Sequence, residues 1–196
     1  MASFRPSIGA VIVTGSLALA LAACTTSPPQ VRALSAPFVV TESDELAPLG
    51  GDVSSDIVNY SRAAPHVGIS GALNGSGVAE AKDLGFRLII DLRQPDENGV
   101  EANAAKAQEL GIKRVQMPFA SDETAWEQIS GLEEAFADPS NYPILLHCGS
   151  ANRAAAAWAL YRSRAGVNPI TALEEALALG LTSREGFVRE RLGISG

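Results

Sequence analysis

Leu145-Leu146-His147-Cys148-Gly149-Ser150-Ala151-Asn152-Arg153 is the stretch that decides how the rest of the chain reads. Tyr142 to His147 is an apolar run of strand length. It passes without a linker into the loop that starts at Cys148. Asn152 to Arg164 then reads as a helix, with Ala155, Trp158 and Ala159 along its inner face. A strand that feeds a tight loop into a helix collects unsatisfied backbone N–H donors and the positive end of the helix dipole. Together they form a cradle for an anion. Gly149 permits an otherwise costly backbone angle, and Ser150 adds a hydroxyl donor. The N–H groups of Ala151 and Asn152 point the same way, and Arg153 can close the ring with a bidentate grip on a tetrahedral oxyanion. The same positive surroundings favour the thiolate of Cys148. A thiolate at the centre of such a cradle is a nucleophile for phosphorus or for sulfane sulfur.

Moving outward, strand-like and helix-like units alternate from about Asn59. Val67 to Ser70 is a short strand candidate, followed by the Gly-rich turn Asn74-Gly75-Ser76-Gly77 and a short helix from Val78 to Leu84. Phe86 to Leu92 reads as a buried strand, Glu101 to Leu110 as an Ala-rich helix closed by Gly111, and Lys113 to Met117 as a strand stopped by Pro118. Thr124 to Ala137 carries Ile129, Leu132 and Phe136 on one face and ends at Asp138-Pro139. Ile170 to Leu179 is a helix begun at Asn168-Pro169 and closed by Gly180, and a last short helix starts near Ser183. The fold expected is α/β, a single domain with a central, mostly parallel sheet flanked by helices. In such folds ligands bind where strand C-termini meet helix N-termini. Cys148 stands at such a point.

The 196 residues suffice for one domain plus an appended segment. The formal net charge of -7 argues against a nucleic-acid partner, which wants a basic surface. The N-terminus differs in kind. Arg5 gives a small positive region, no acidic residue precedes Glu42, and Ile8 to Ala23 is almost wholly apolar or small. That run is short for a bilayer-spanning helix and ends at small residues, so it reads as an export signal. Residues 25 to 58 are rich in Ser, Thr, Pro and Gly and read as a flexible tether. The expected organisation is a signal over residues 1–23, a tether over 24–58 and one domain over 59–196.

There are two cysteines, Cys24 and Cys148. The run Leu21-Ala22-Ala23-Cys24 resembles the lipobox of bacterial lipoproteins. The resemblance implies cleavage before Cys24 and acylation of its thiol, hence an envelope protein held to the membrane by a lipid and facing the periplasm. Thr25 at the next position implies the outer membrane where the organism has one. Cys148 is then unpaired in an oxidising compartment, where a free thiol usually has a chemical role. Two histidines and one free Cys make no metal site, and no cofactor is expected. His66 reads as a surface residue, Trp126 and Trp158 as core, and Glu174-Glu175 and Arg184-Glu185 as solvated helix faces.

The His-Cys-loop-Arg run after an apolar strand resembles the cysteine-dependent phosphatases, specifically the beta-lactamase-hydrolase-like phosphatase group, relatives of the dual-specificity phosphatases. The similarity extends over roughly residues 59 to 182. It includes Leu88-Ile89-Ile90-Asp91-Leu92-Arg93, similar to that group's second strand and turn, and Asn168 to Leu181, similar to its helix after the loop. It implies that Cys148 attacks phosphate to form a phosphocysteine, that Arg153 holds the equatorial oxygens, and that His147 orients the loop from beneath. It also implies a general acid on the loop after the preceding strand, where Asp122 stands. Asp122 or Ser121 alternatively caps the helix that starts near Thr124. Asp96 or Glu97 is the fallback acid. The substrate implied is a phosphorylated protein or a small phosphoester.

Two departures stand out. The spacing is Cys-x4-Arg, one residue shorter than in the main phosphatase families. Ala151 replaces a common Gly, and Ala154 replaces a hydroxyl that helps hydrolyse the phosphocysteine in relatives. A short loop also occurs in rhodaneses, which leaves a sulfurtransferase as an alternative, although the Gly-Gly segment usual there is missing. A catalytically weak anion-binding module is the third reading.

Overall fold

The structure is a computed structural model that describes residue 38 and residues 45–195. The expected signal segment and Cys24 lie outside the described residues. Five strands form one sheet: β1 (Ser61–Ala64), β2 (Val67–Ser70), β3 (Leu88–Asp91), β4 (Lys113–Gln116) and β5 (Ile144–His147). Six helices accompany them: α1 (Gly77–Asp83), α2 (Val100–Leu110), α3 (Ala125–Ala137), α4 (Asn152–Arg164), α5 (Pro169–Ala178) and α6 (Glu185–Arg191). Among the described residues no helix is long and apolar enough to cross a membrane.

The strand order is β1-β2-β5-β3-β4. Strands β2, β5, β3 and β4 run parallel, and β1 is an antiparallel edge strand whose register slips between Arg62 and Ala64. The sheet is therefore mostly parallel, as the alternation of apolar runs and helices predicts. The central strands β2, β3 and β5 are buried at every position, which is what a sheet covered on both faces demands. Leu88, Ile90, Ile144 and Leu146 face one layer with Ile129, Phe136 and Trp158. Ile89 and Leu145 face the other with Val78, Ala81, Phe86 and Ala107. The period of two along a strand makes this division.

Helix α4 is the middle of the larger layer. Ala154 to Ala157 and Trp158 to Tyr161 are all buried, and α3, α5 and α6 pack around it. Its four consecutive alanines let neighbours approach closely. Trp158 and Tyr161 fill the volume, with Phe136 edge-on to Tyr161 at 4.7 Å between centroids. Three ends then coincide. Ser70 and Asp91 are register partners of His147, so β2, β3 and β5 finish together with β5 in the middle. The loop from Cys148 leaves from the centre of the sheet's C-terminal edge.

Two expectations need correction. The tether does not extend to residue 58 as flexible chain: residues 45–58 pack on the domain. Ala47 and Ile57 are buried, Ala47 N–H donates to Pro65 O at 2.8 Å, and Val58 N–H donates to Ala72 O at 3.0 Å. The ring of Phe38 stands 6.2 Å from that of Trp158 with the Arg162 guanidinium 4.4 Å above it. Ala47 and Ile57 are buried while Leu46 and Leu49 stay exposed, a division that the Ser/Pro/Gly-rich composition hides. His66 is not on the surface: it is 4% exposed, with Nδ1 3.1 Å from Glu45 O and its ring beside Tyr142. Strand β1 had no expectation, because Ser61-Arg62-Ala63-Ala64 is short and half polar, as edge strands are.

Candidate active site

The loop is held from both sides by backbone. Cys148 N–H donates to Ser70 O at 3.2 Å and continues the β2–β5 ladder by one residue. Ala72 N–H then donates to Gly149 O at 3.1 Å, and Gly71 bridges Ser150. Gly71 is required by close approach: a Cβ there would lie 3.0 Å from Ser150 Cα and 3.1 Å from Gly149 O. Asn59 Nδ2 donates to Ser150 O at 3.3 Å. At the end of the turn Ala151 has φ +73° and is fully buried, and its carbonyl accepts the first helical bond, from Ala155 N–H at 2.8 Å. This left-handed angle is the physical reason for a Gly preference at the position. Among the described residues the N–H groups of Gly149, Ser150, Asn152 and Arg153 make no backbone hydrogen bond. They are the donors expected for an anion.

Asn152 braces the loop from behind. Its Oδ1 accepts from Thr182 N–H at 3.0 Å, and its Nδ2 donates to Ser183 Oγ at 2.6 Å. The segment between α5 and α6 is thereby fixed against the residue that precedes Arg153. Cys148 is 1% exposed and lies at the base of the loop. The Arg153 guanidinium lies over it: Cys148 and Glu97 both raise the Arg153 pKa, Glu97 more strongly, by hydrogen bonding. His147 sits beneath, fully buried, with Nδ1 3.3 Å from Gly71 O and Nε2 3.4 Å from Asp91 Oδ2.

A buried ion cluster supports this floor. Asp91 accepts from Arg93 N–H at 3.0 Å and Nε at 2.9 Å through Oδ1, and from Arg93 Nη2 at 2.7 Å and Arg114 Nη2 at 2.6 Å through Oδ2. Burial works against the Asp91 carboxylate, but His147, Arg93 and Arg114 outweigh it and hold its pKa well below the usual carboxylate range. Arg93 Nη1 donates in turn to Asn98 O at 3.0 Å, which fixes the turn that carries Glu97. Glu97 Oε1 also accepts from Gln94 N–H at 2.6 Å. From there Glu97 reaches Arg153: Oε1 to Nη1 and Oε2 to Nη2, each at 2.5 Å. The Arg153 hydrogen bonds lower the Glu97 pKa and leave it an anion.

Of the residues singled out from sequence, Cys148, Gly149, Ser150, Ala151, Asn152 and Arg153 come together, and Glu97 joins them. Asp122 is turned to another task here. Its Oδ1 accepts from Thr124 N–H at 2.8 Å and Oγ1 at 2.6 Å, and these bonds lower its pKa. It thus holds the entry of α3 while Ala120 N–H donates to Gln128 Oε1 at 2.9 Å. Service as a proton donor requires Asp122 to let go of Thr124.

Sequence reasoning missed Arg184, read as part of a solvated face. It follows Thr182 and Ser183, which Asn152 holds, and its Nε donates to Ser121 Oγ at 2.8 Å, which sets it beside the site; burial and the neighbouring Arg153 charge lower its pKa, opposed by Cys148 and Glu97. Glu175 is likewise no solvated charge, since it accepts from Trp158 Nε1 at 3.1 Å and from Arg162 Nε and Nη2 at 2.8 Å. The signal for Arg184 was its position, four residues after the helix-closing Gly180, where the chain returns to the loop. A cleft of about 450 Å³ opens beside the loop between Asn59, Tyr60, Ser150 and Thr182. Among the described residues no group of three His, Cys, Asp or Glu is placed to hold a metal ion.

A thiol under a guanidinium, at the start of a strand-to-helix loop, is the arrangement of a cysteine-based phosphatase fold. Residues 59–166 match the family model of the beta-lactamase hydrolase-like protein, phosphatase-like domain, and the chain belongs to that family. A putative phosphatase from Neisseria meningitidis is similar in structure, with TM-score 0.57 and 21% identity over 71% of this chain and 97% of that one. The core catalytic domain of the PP-IP phosphatase SIW14 from S. cerevisiae gives 0.55 and 19% identity over 69% and 90%. P. aeruginosa TpbA gives 0.54 and 22% identity over 80% and 100%. No curated protein sequence matches.

Proposed function

We propose that this protein is a phosphatase that hydrolyses phosphate monoesters through a phosphocysteine on Cys148. The observation that carries the proposal is the Cys148–Arg153 loop itself, a thiol and a guanidinium joined by a turn whose free N–H groups face an incoming anion. Family membership supports the same class of hydrolase.

The thiolate attacks phosphorus in line, an S–P bond forms and the bond to the leaving oxygen breaks. Arg153 and the loop N–H groups bind the three equatorial oxygens, whose charge is spread most widely in the transition state. Asp122 gives its proton to the leaving oxygen after swinging from Thr124. A water then attacks the phosphocysteine, Asp122 takes a proton back, and orthophosphate leaves with the thiolate restored. Ala154 offers no hydroxyl to that second step, so dephosphorylation of the enzyme is the slow half. The cleft beside Ser150 has room for the rest of a small phosphoester or a phosphorylated side chain. The signal-like N-terminus supports a lipid anchor at Cys24 and a place in the envelope, facing the periplasm.

The test is orthovanadate-sensitive hydrolysis of p-nitrophenyl phosphate by purified protein. Cys148→Ser abolishes it. Asp122→Asn lowers kcat/KM, which reports formation of the phosphocysteine, by about 100-fold or more on an alkyl phosphate, and much less on the aryl ester, whose leaving group needs little protonation. Activity that survives Cys148→Ser sinks the mechanism, and equal loss on both esters removes Asp122 as the acid.

A further inference from the structure

Arg153 does not meet an anion with free terminal nitrogens, since both are taken by Glu97. Arg184 does. Among the described residues it forms no ion pair, and its guanidinium makes one hydrogen bond, from Nε to Ser121 Oγ at 2.8 Å. Nη1 and Nη2 have no protein partner among those residues. The side chain is half-buried and held at both ends. Its backbone follows Thr182 and Ser183, which Asn152 grips, and its guanidinium is moored to the loop that carries Asp122. It therefore spans from the residues braced by Asn152 to the 118–124 loop.

Burial and the neighbouring Arg153 charge weigh against the Arg184 guanidinium, Cys148 and Glu97 offset them only in part, and among the described residues no carboxylate is bonded to it. The arrangement becomes favourable when an anion lies against both guanidinium groups. A free pair of Nη groups offers parallel donors that match two oxygens of a phosphoryl group.

We propose that Arg184 is a specificity-determining residue that binds a second phosphoryl group of the substrate, adjacent to the one held by the Cys148–Arg153 loop. The preferred substrates are then phosphomonoesters that carry a neighbouring phosphate. This rests on the phosphate-binding reading of the loop.

The full chain carrying Cys148→Ser, which cannot turn over, is titrated calorimetrically with orthophosphate and with pyrophosphate. Pyrophosphate is expected to bind at least tenfold more tightly. Adding Arg184→Gln costs at least tenfold for pyrophosphate and under threefold for orthophosphate, while Arg184→Lys keeps pyrophosphate within about fivefold. Equal losses for the two anions, or no advantage for pyrophosphate before the change, overturn the proposal. Should Arg184→Gln fail to fold, Ser121→Ala removes the mooring instead and weakens pyrophosphate selectively by at least threefold; an unselective or absent effect overturns it. Failure of the starting protein to bind either anion overturns the phosphate reading as well as the role of Arg184. Tight orthophosphate with no gain for pyrophosphate overturns the latter alone.

Discussion

The Glu97 carboxylate grips both terminal nitrogens of Arg153, and Glu97 is itself placed by a chain of charges that begins at buried Asp91. The Arg153 guanidinium is thus oriented from the core of the sheet, through Arg93 and the turn 94–99, and not by its own helix alone. On the proposed mechanism the pairing also has a cost, since an incoming phosphate must share Arg153 with an anion already there.

Glu97→Gln is expected to keep the fold and lower kcat by about ten- to 100-fold, the scale of a small misplacement of a group that acts in the transition state. KM changes less, because removing a competing carboxylate offsets the loss of orientation. Steady-state kinetics on an aryl phosphate read the split. A loss confined to KM contradicts an orienting role.

Asp91→Asn leaves Arg93 and Arg114 without their shared carboxylate and is expected to cost about 3–5 kcal/mol in denaturant unfolding. The pH dependence follows in sign. The folded-state pKa of Asp91 is depressed, so its stabilisation is complete above the unfolded value of about 3.9 and is lost as pH falls further toward the folded value. Wild-type stability therefore drops below about pH 4 more steeply than that of Asp91→Asn. Parallel acid limbs contradict the assignment.

Ala151 sets two small terms against each other. Relief of its left-handed angle favours Gly by about 1–2 kcal/mol, while loss of a buried methyl costs about 0.8 kcal/mol. Ala151→Gly is accordingly expected to stay within about 1 kcal/mol of wild type or gain slightly. Ala151→Val adds a branched side chain where φ is +73° and where even a Cβ at Gly180 would stand 3.5 Å from the existing methyl, and is expected to lose more than about 2 kcal/mol. Thermal unfolding of the two variants checks the order; Val equal to Gly contradicts it.

These cases also mark what could be read from sequence. The runs at Leu88 and Ile144, the turn at Gly111 and the helix from Asn152 declare themselves through local pattern, because an unbroken apolar strand and a capped helix depend on near neighbours. The loop did so too, since its chemistry is contiguous from Cys148 to Arg153. The pairing of Asp91, Arg93, Arg114 and Glu97 did not, although Asp91 lay in a strand read as buried and Glu97 stood as the fallback acid. Which charge meets which depends on residues far apart along the chain, since the cluster spans two strands and a turn. Arg184 was hidden in the same way: only the clamp by Asn152, some thirty positions earlier, brings it to the loop. His66 and Ile57 depend on contacts between the N-terminal segment and the sheet, which carry no periodicity.

On the proposed mechanism Cys148 becomes covalently phosphorylated. Rapid acid quench of the protein with a labelled aryl phosphate, followed by peptide mass spectrometry, reads this step. One phosphoryl group is expected on the peptide containing Cys148, accumulating because hydrolysis of the intermediate is slow, and absent in Cys148→Ser. Steady turnover of the ester with no label on Cys148, or a persulfide on that thiol after thiosulfate in protein that does not cleave phosphoesters, would contradict it.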